Sequence, residues 1–400
     1  MYEVRVVVGK KFDKIMSNTR LSDTAPAWFI YEYGLRQDDW MMSSLITALS
    51  KRFPEIKPTY IHGLFREYKP GGLGPSRIIN LFWVYISFFF RLLCSKPRFI
   101  IVRTTPPCVH LWVVFWAKLF GVPVICWLMD YHPEIEARAF DKRGFKGLAT
   151  FLRAIDLRLM RQFIVVVTLD EAMAVSVRKN CGSIPLIVHP TWTLSSPGSF
   201  SKPKYRIGRN DDSLTLAYSG NLGAAHKVQT FKKLLTELLK RKKVKLHTIG
   251  TGTTGEQLLQ AICLECGASV FHHPRIKFEA LGVLYDKLEV DLGVVILSEQ
   301  YTGLVSPSKF VGYISFGVPV LYFGAKSTNT SDICYRFRAG FELPENASEA
   351  EIVAIVNGIC NRDTFDGVIS NVSKAFEYYA GFDAETLATL LDSYLKPLLR

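Results

Sequence analysis

The sequence predicts an α/β protein built from two doubly wound, Rossmann-like domains, and three observations carry that prediction. Apolar, β-branched runs alternate with longer helical patterns through the first half; the alternation lapses and then starts again; and 400 residues are too many for one ordinary domain. The composition agrees. With 48% hydrophobic and 21% charged residues, the chain can bury two sizeable cores, which excludes a disordered, collagenous or coiled-coil protein.

Taken in order, the first alternation runs through Val4–Val8, Trp40–Phe53, Thr59–Gly63, Ile78–Cys94, Phe99–Arg103, Val109–Phe120, Val122–Met129, Leu148–Arg161 and Phe163–Thr168. Strands followed by crossover helices make a parallel sheet. A Ser-, Pro- and charge-rich stretch at 193–212 marks the linker, so the first domain is expected at 1–192. The second alternation takes in Leu214–Ser219, Gln229–Lys240, Lys245–Gly250, Gly255–Cys266, Leu292–Leu297, Lys309–Phe316 and Val318–Phe323, with a helical stretch from Ala347 to Leu399. This places the second domain at 213–375 and a C-terminal helix at 376–400.

Charge is uneven. Residues 1–190 carry 26 basic and 15 acidic side chains and so hold most of the formal net charge of +13. Such a field suits an anionic membrane surface, a phosphate-bearing substrate or nucleic acid, and no nucleic-acid module accompanies it. The N-terminus lacks the apolar core of a secretion signal, and the eight cysteines lie scattered, mostly in apolar runs, as reduced thiols do. A cytoplasmic protein is the expectation. The apolar stretches Ile78–Cys94 and Val109–Phe120 are interrupted by Arg91 and Lys118 before they are long enough to span a bilayer. In the first, Asn80, Ser87 and Arg91 fall on one narrow stripe; this is either a core helix or a helix resting in the lipid interface with basic residues on headgroups.

Several segments place chemistry at strand ends. In Leu304-Val-Ser-Pro-Ser-Lys309, Ser306 is expected to cap a helix with Pro307 at its first position, so that Ser306, Ser308 and the Lys309 ammonium converge with free amides. That is what a diphosphate requires, and it is also an ordinary capped helix. Gly220 and Gly223, flanking Asn221, follow the strand Leu214–Ala217; Gly250 and Gly252 begin a Gly-x-Gly-x-x-Gly after the next strand. Both allow a ligand close to the backbone, and both suit a tight turn. No acidic residue lies about twenty positions on to hold a ribose, which argues against a nicotinamide site.

In the first half, the strand Val122–Met129 delivers Asp130, with His132 and Glu134 just beyond, while the preceding strand ends at Arg103. Titratable groups at a strand's carboxyl end sit where ligands bind. The plainer alternative makes Asp130 a helix cap and leaves His132 and Glu134 exposed. Cys263 and Cys266 with His272 and His273 fit no common zinc spacing, and no metal or cofactor is expected.

The turn at 219–223, the Gly-x-Gly at 250–252, Val290-Asp-Leu-Gly-Val294 and Pro-Ser-Lys with Gly-x-Pro at 307–319 together resemble family 4 glycosyltransferases of the GT-B fold. The Thr-Pro-Pro turn, Gly121-Val-Pro and Asp-x-x-Pro-Glu resemble the bacterial branch that builds surface polysaccharides. The resemblance implies two facing Rossmann domains with a central cleft and metal-independent transfer with retention. It implies a nucleotide-sugar donor, UDP-linked by preference, and a lipid-linked or polysaccharide acceptor on the inner face of the plasma membrane. Carried over by position, Lys309 and the amides around Ser308 take the diphosphate, Gly220, Asn221 and Gly223 line it, and Gly250 and Gly252 approach the nucleoside. Asp130 and His132 face the reacting sugar and acceptor, with Arg103 and Glu134 on the acceptor side.

Two departures stand out. The family's paired glutamates would fall at Leu304 and Gly312, and its Arg and Lys after the glycine turn at Asn221 and His226. A catalytically silent partner subunit of a glycosyltransferase complex is therefore the alternative, and a sugar epimerase a third.

Overall fold

The computed structural model describes residues 26–30, 40–63, 75–105, 107–192, 212–223 and 225–399. The expected strand Val4–Val8, the linker up to residue 211 and Pro106 of the Thr-Pro-Pro turn lie outside them. The chain divides into two units. One draws on Met1–Pro190, Gly303–Ser306 and Phe382–Arg400, the other on Thr191–Thr302 and Pro307–Gly381.

The first unit is laid out as β1 (Ala27–Ile30), α1 (Trp40–Arg52), β2 (Pro58–Ile61), α2 (Pro75–Cys94), β3 (Ile100–Arg103), α3 (Val109–Leu119), β4 (Val124–Trp127), α4 (Glu134–Lys142), α5 (Lys146–Met160), β5 (Val165–Thr168), α6 (Glu171–Cys181) and β6 (Leu186–Val188). Its six strands are parallel in the order β2-β1-β3-β4-β5-β6. β1, β3, β4 and β5 are wholly buried, as strands covered by helices on both faces must be. β1 was not legible: Ala-Trp-Phe-Ile has neither alternation nor a turn signal that separates it from a buried helix segment.

α2 is not the wholly buried core helix of the first expected arrangement. Its inward stripe is Asn80, Val84, Phe88 and Leu92, with Phe88 edge-on to Trp28 of β1. The polar Asn80 thus faces the core, while Ile79, Phe82, Trp83, Ile86, Phe90 and Leu93 are exposed. The helix is not simply a core element. One further helix closes the unit's list: α14 (Ala384–Leu399) packs on α1, and Arg52 and Lys396 both pair with Asp392.

The second unit runs β7 (Ser213–Ser219), α7 (Gln229–Leu239), β8 (Lys243–Ile249), α8 (Thr253–Cys266), β9 (Ser269–His273), α9 (Phe278–Leu288), β10 (Leu292–Ile296), α10 (Lys309–Ser315), β11 (Val320–Phe323), α11 (Asn329–Tyr335), β12 (Gly340–Leu343), α12 (Glu349–Cys360) and α13 (Arg362–Ala380). The strands are parallel in the order β12-β11-β10-β7-β8-β9. The order reverses beside β7, so the crevice between the carboxyl ends of β7 and β10 is where an open sheet of this kind takes ligands. One core, built from Leu214, Leu216, Leu246, Leu292, Val294 and Leu321 on the sheet, lies under α7, α8 and α12. The C-terminal helical stretch is three helices: Asn361 ends α12 and caps α13 through its side chain, which accepts from the Thr364 amide at 2.9 Å, and Gly381 ends α13. The break at 381 falls later than the expected boundary at 376 because Arg362–Ala380 holds an unbroken apolar face.

Gly293 in β10 is required by contact. A Cβ there would stand 2.2 Å from the Tyr313 ring, which lies flat over the strand. Tyr313 in turn accepts from the Ser219 amide at 2.8 Å and donates to the Ala217 carbonyl at 2.9 Å. Gly293→Ala is expected to cost about 2–3 kcal/mol of stability, an overpacking penalty, seen as a lower urea midpoint at unchanged slope. A stability equal to wild type would refute the contact.

Candidate functional site

Each unit carries its own cluster of polar groups at the carboxyl ends of its central strands. In the second unit, β7 ends at Ser219 and the chain turns through Gly220, whose φ of +93° demands glycine. β8 ends at Ile249 and turns through Gly250 and Gly252, with φ +63° and +76°. The two turns are joined: the Gly220 amide donates to Ile249 O at 2.8 Å, and Asn221 Oδ1 lies 3.5 Å from where a Gly252 Cβ would stand. Gly255, the last glycine of the Gly-x-Gly-x-x-Gly, seats α8 against Leu222, with 2.9 Å to a built Cβ. A built Cβ on Gly223 meets nothing within 4 Å.

Lys309 reaches into this corner. Its Nζ donates to Tyr218 Oη at 2.6 Å and Asn221 O at 3.0 Å, and lies 3.3 Å from His226 Nε2. The Lys309 stem passes over Gly220, Cε being 3.1 Å from a Cβ built there, and the ammonium stands 4.4 Å from the Tyr218 ring centroid. His226 Nδ1 sits 3.1 Å from Gly223 O; with its proton there, Nε2 accepts from the ammonium, and all three ammonium hydrogens have partners. Burial lowers the Lys309 pKa to about 7, and burial followed by the neighbouring ammonium lowers His226 to about 4. A half-buried lysine whose acceptors are all uncharged is a site for an anion.

The helix carrying Lys309 begins later than the sequence suggested. Ser308 is the residue before the first turn, its side chain makes no capping bond, and Lys309 opens α10. Ser306 is not the cap, because Leu304 and Val305 are drawn into the first unit: Leu304 O accepts from the Tyr131 amide at 2.7 Å, and Val305 forms a bridge with Asp130. Ser306 belongs with the first unit, and Ser308 and Lys309 with the second. The amides of Ser219, Gly220 and Leu222 are engaged within the unit, so the turn opens space and its anion attraction comes from Lys309.

In the first unit, Thr104 Oγ1 accepts from the Met129 and Asp130 amides at 3.0 and 3.2 Å and so fixes the end of β4. Asp130 is not a helix cap, since Pro133 precedes α4. Burial raises the Asp130 pKa, opposed by His132 and Arg103. His132 Nδ1 lies 2.5 Å from Glu136 Oε1, one turn along α4. That pairing fixes the orientation of the His132 ring. Glu136 was missed by sequence reasoning; its i,i+4 spacing from His132 becomes a signal only once α4 is known to start at 134.

Glu134 is a correction. It is buried, with Arg138 on Oε1 at 3.0 Å and Arg153 on Oε2 at 2.8 Å, so it is the centre of an ion-pair cluster and not an acceptor-facing group. Arg103 is buried too, its guanidinium 5.4 Å from the Trp127 ring centroid. Tyr131, between Asp130 and His132, is clamped in the core: its hydroxyl donates to Asp156 Oδ2 at 2.8 Å and lies 3.3 Å from Cys181 Sγ.

The two family glutamate positions are interior. Leu304 is fully buried, and a Cβ on Gly312 would be 3.5 Å from the Phe278 ring, so neither place holds an acid. Glu299 is exposed, and its amide donates to Glu345 Oε2 at 2.7 Å. Cys263 and Cys266 both lie in α8. Among the described residues no group of three or more His, Cys, Asp or Glu side chains is placed to hold a metal ion.

Comparison with solved structures gives the fold a precedent. A sucrose-phosphate synthase from Thermosynechococcus elongatus is similar over 94% of this chain and 99% of its own, at 12% identity and a TM-score of 0.65. HepE of Anabaena, solved with UDP-glucose, is similar over 93% and 99%, at 12% identity and 0.60. WaaG, a glycosyltransferase involved in lipopolysaccharide biosynthesis, is similar over 92% and 99%, at 12% identity and 0.59. No family model matches the chain, and no curated protein matches it in sequence. The chain has the two-domain α/β fold of the GT-B glycosyltransferases.

The Tyr131 clamp has a measurable signature. Burial raises the Asp156 carboxyl to about 7, above its value in the unfolded chain, while the bonds from Tyr131 and Cys181 oppose the rise. Between about pH 4 and pH 7 the unfolded chain gives up this proton and the folded chain keeps it, so the group lowers stability as pH rises, by at most ~1.4 kcal/mol per unit. Asp156→Asn is expected to flatten that slope in urea titrations across the window. An unchanged slope would place the titration elsewhere.

Proposed function

We propose that this protein is a glycosyltransferase that moves a sugar from a nucleotide-sugar donor, preferentially UDP-linked, to a lipid-linked glycan in the building of a cell-surface polysaccharide, with retention at the anomeric carbon and without a metal ion. The observation that carries the reading is the Lys309 ammonium, held by Tyr218, the Asn221 carbonyl and His226 beside Gly220 at the carboxyl end of β7. It is supported by the UDP-glucose and UDP complexes of HepE, a protein of similar fold.

The donor's diphosphate takes the place of the neutral acceptors around Lys309, with Ser308 and the side-chain-free surface of Gly220 and Gly223 beside it. Gly250 and Gly252 leave room for the nucleoside. As the bond from the anomeric carbon to the diphosphate breaks, negative charge collects on the departing oxygen, and a pre-positioned ammonium stabilises that charge without reorganising. The acceptor hydroxyl attacks the oxocarbenium-like sugar from the side the diphosphate leaves, which retains the configuration, and passes its proton to the departing diphosphate oxygen. On the first unit, Asp130 and His132, the latter oriented by Glu136, accept hydrogen bonds from sugar hydroxyls. Arg103, packed on Trp127, has a supporting place in that unit. The basic first half supports a place on the inner face of the plasma membrane.

The interior placement of Leu304 and Gly312 favours one second reading, a silent partner subunit. Donor hydrolysis by the isolated chain separates the two, since a transferase releases free sugar slowly and a scaffold releases none.

A charged hydrogen bond contributes about 1.5–3 kcal/mol, so Lys309→Ala is expected to slow transfer by about ten- to a hundredfold; wild-type turnover would count against the assignment. Calorimetric titration with UDP, GDP and ADP identifies the base. Because the unliganded Lys309 titrates at about 7 and the diphosphate binds its charged form, affinity should fall as pH rises above that value. A UDP-sugar is the right probe, since its diphosphate diester does not itself titrate there. The fall should approach about tenfold per unit, and a pH-independent affinity would refute the role.

A further inference from the structure

The outer surface of the first unit carries apolar side chains that its fold does not use. α2 crosses from β2 to β3, α3 from β3 to β4, and α4 with α5 from β4 to β5, all in the same direction along the sheet. Right-handed crossovers therefore set α2, α3 and α5 side by side on one face. α2 and α3 interlock through Phe89 against Trp116, ring centroids 4.7 Å apart, and through the Trp112 indole donating to Tyr85 O at 3.3 Å. α5 packs next to α3. The outward sides of these helices remain bare: Phe82 is 64% exposed, Phe90 59%, Leu119 64% and Phe151 59%. Large aromatic and aliphatic side chains grouped on one face at such exposure mark an interaction surface.

The charge pattern says what the surface meets. No Asp or Glu occurs between Glu67 and Asp130, so α2 and α3 are free of acidic residues. Arg91 on α2, Lys96 just after it, Lys118 on α3, and Arg143 and Lys146 at the start of α5 are all exposed around the apolar side chains. Among the described residues no helix is long and apolar enough to cross a membrane. Exposed aromatics with a basic border and no acidic groups complement the interface of an anionic bilayer, where rings enter the headgroup boundary and ammonium and guanidinium groups meet lipid phosphate.

We propose that the α2–α3–α5 face of the first unit docks on an anionic lipid bilayer, lying along the interface with Phe82, Trp83, Phe90 and Leu93 of α2 inserted and Arg91, Lys96 and Lys118 on the phosphates. The inference names the surface behind the membrane placement made above, and it stands whether or not the donor site is correctly assigned. Docking holds the carboxyl end of β4 at a set height above the lipid, which suits an acceptor carried on a lipid tail.

The test is cosedimentation of the full chain with vesicles of phosphatidylcholine alone and of phosphatidylcholine mixed with phosphatidylglycerol, alongside calorimetry with UDP. Wild type is expected to bind the mixed vesicles and to leave them as salt is raised. The double variant Phe82→Ser, Phe90→Ser should partition at least about tenfold more weakly, and Arg91→Glu with Lys118→Glu should lose the preference for the anionic lipid. Both should keep wild-type UDP binding and circular dichroism, so a failed donor site and a failed docking face give different results. Equal binding to neutral and anionic vesicles, or no effect of the phenylalanine pair, overturns the proposal. So does a wild-type dimer that the same pair turns into a monomer, which would assign the face to a second copy of the chain.

Discussion

The second unit is arranged around one ammonium. Lys309 is half-buried, and an ammonium out of water is tolerated only where acceptors replace its hydration. Three do so: the Tyr218 hydroxyl, the Asn221 carbonyl and His226 Nε2. None carries charge. The lysine is thereby satisfied but not neutralised, which leaves it attractive to an anion and lowers its proton affinity at the same time. A carboxylate in place of any of the three would pair with the ammonium and close the site.

The glycines follow from the same constraint. Gly220 turns the chain at a positive φ and clears the path of the lysine stem, and Gly293 makes room for Tyr313, which pins the Ser219 amide one residue before the turn. A lysine in the first turn of a short helix reaches the end of β7 because two neighbouring side chains are missing. In the first unit a buried clamp has the equivalent function. Tyr131 is gripped by Asp156 and Cys181 in the core, which fixes the backbone that carries Asp130 and His132 on either side of it.

The positions where the sequence misled share a cause. Ser306 has the local chemistry of a helix cap, but the bridge between Val305 and Asp130 and the bond from Tyr131 to Leu304 extend the chain there, and the helix starts at 309. Glu134 looked like a group offered to an acceptor until Arg138 and Arg153, four and nineteen positions along the chain, closed on it. On α2 the sequence left a core helix and a lipid-interface helix open; in the fold Asn80 turns inward and the aromatics outward. In each instance contacts made in the folded unit decided what the local pattern left open.

The sequence by itself determined the alternation of strands and helices, the glycine turns after β7 and β8, the lysine beside them and the uneven charge, because these are set by side-chain periodicity, by backbone conformations open only to glycine and by counting. The tertiary structure decided which groups meet: Tyr218 and His226 with Lys309, Glu136 with His132, Asp156 with Tyr131. It also decided which face of α2 is left bare. Apart from Glu136, one helical turn from His132, those outcomes depend on strand order and crossover handedness, which bring residues far apart in the chain to within hydrogen-bonding distance, and no local pattern encodes such a distance.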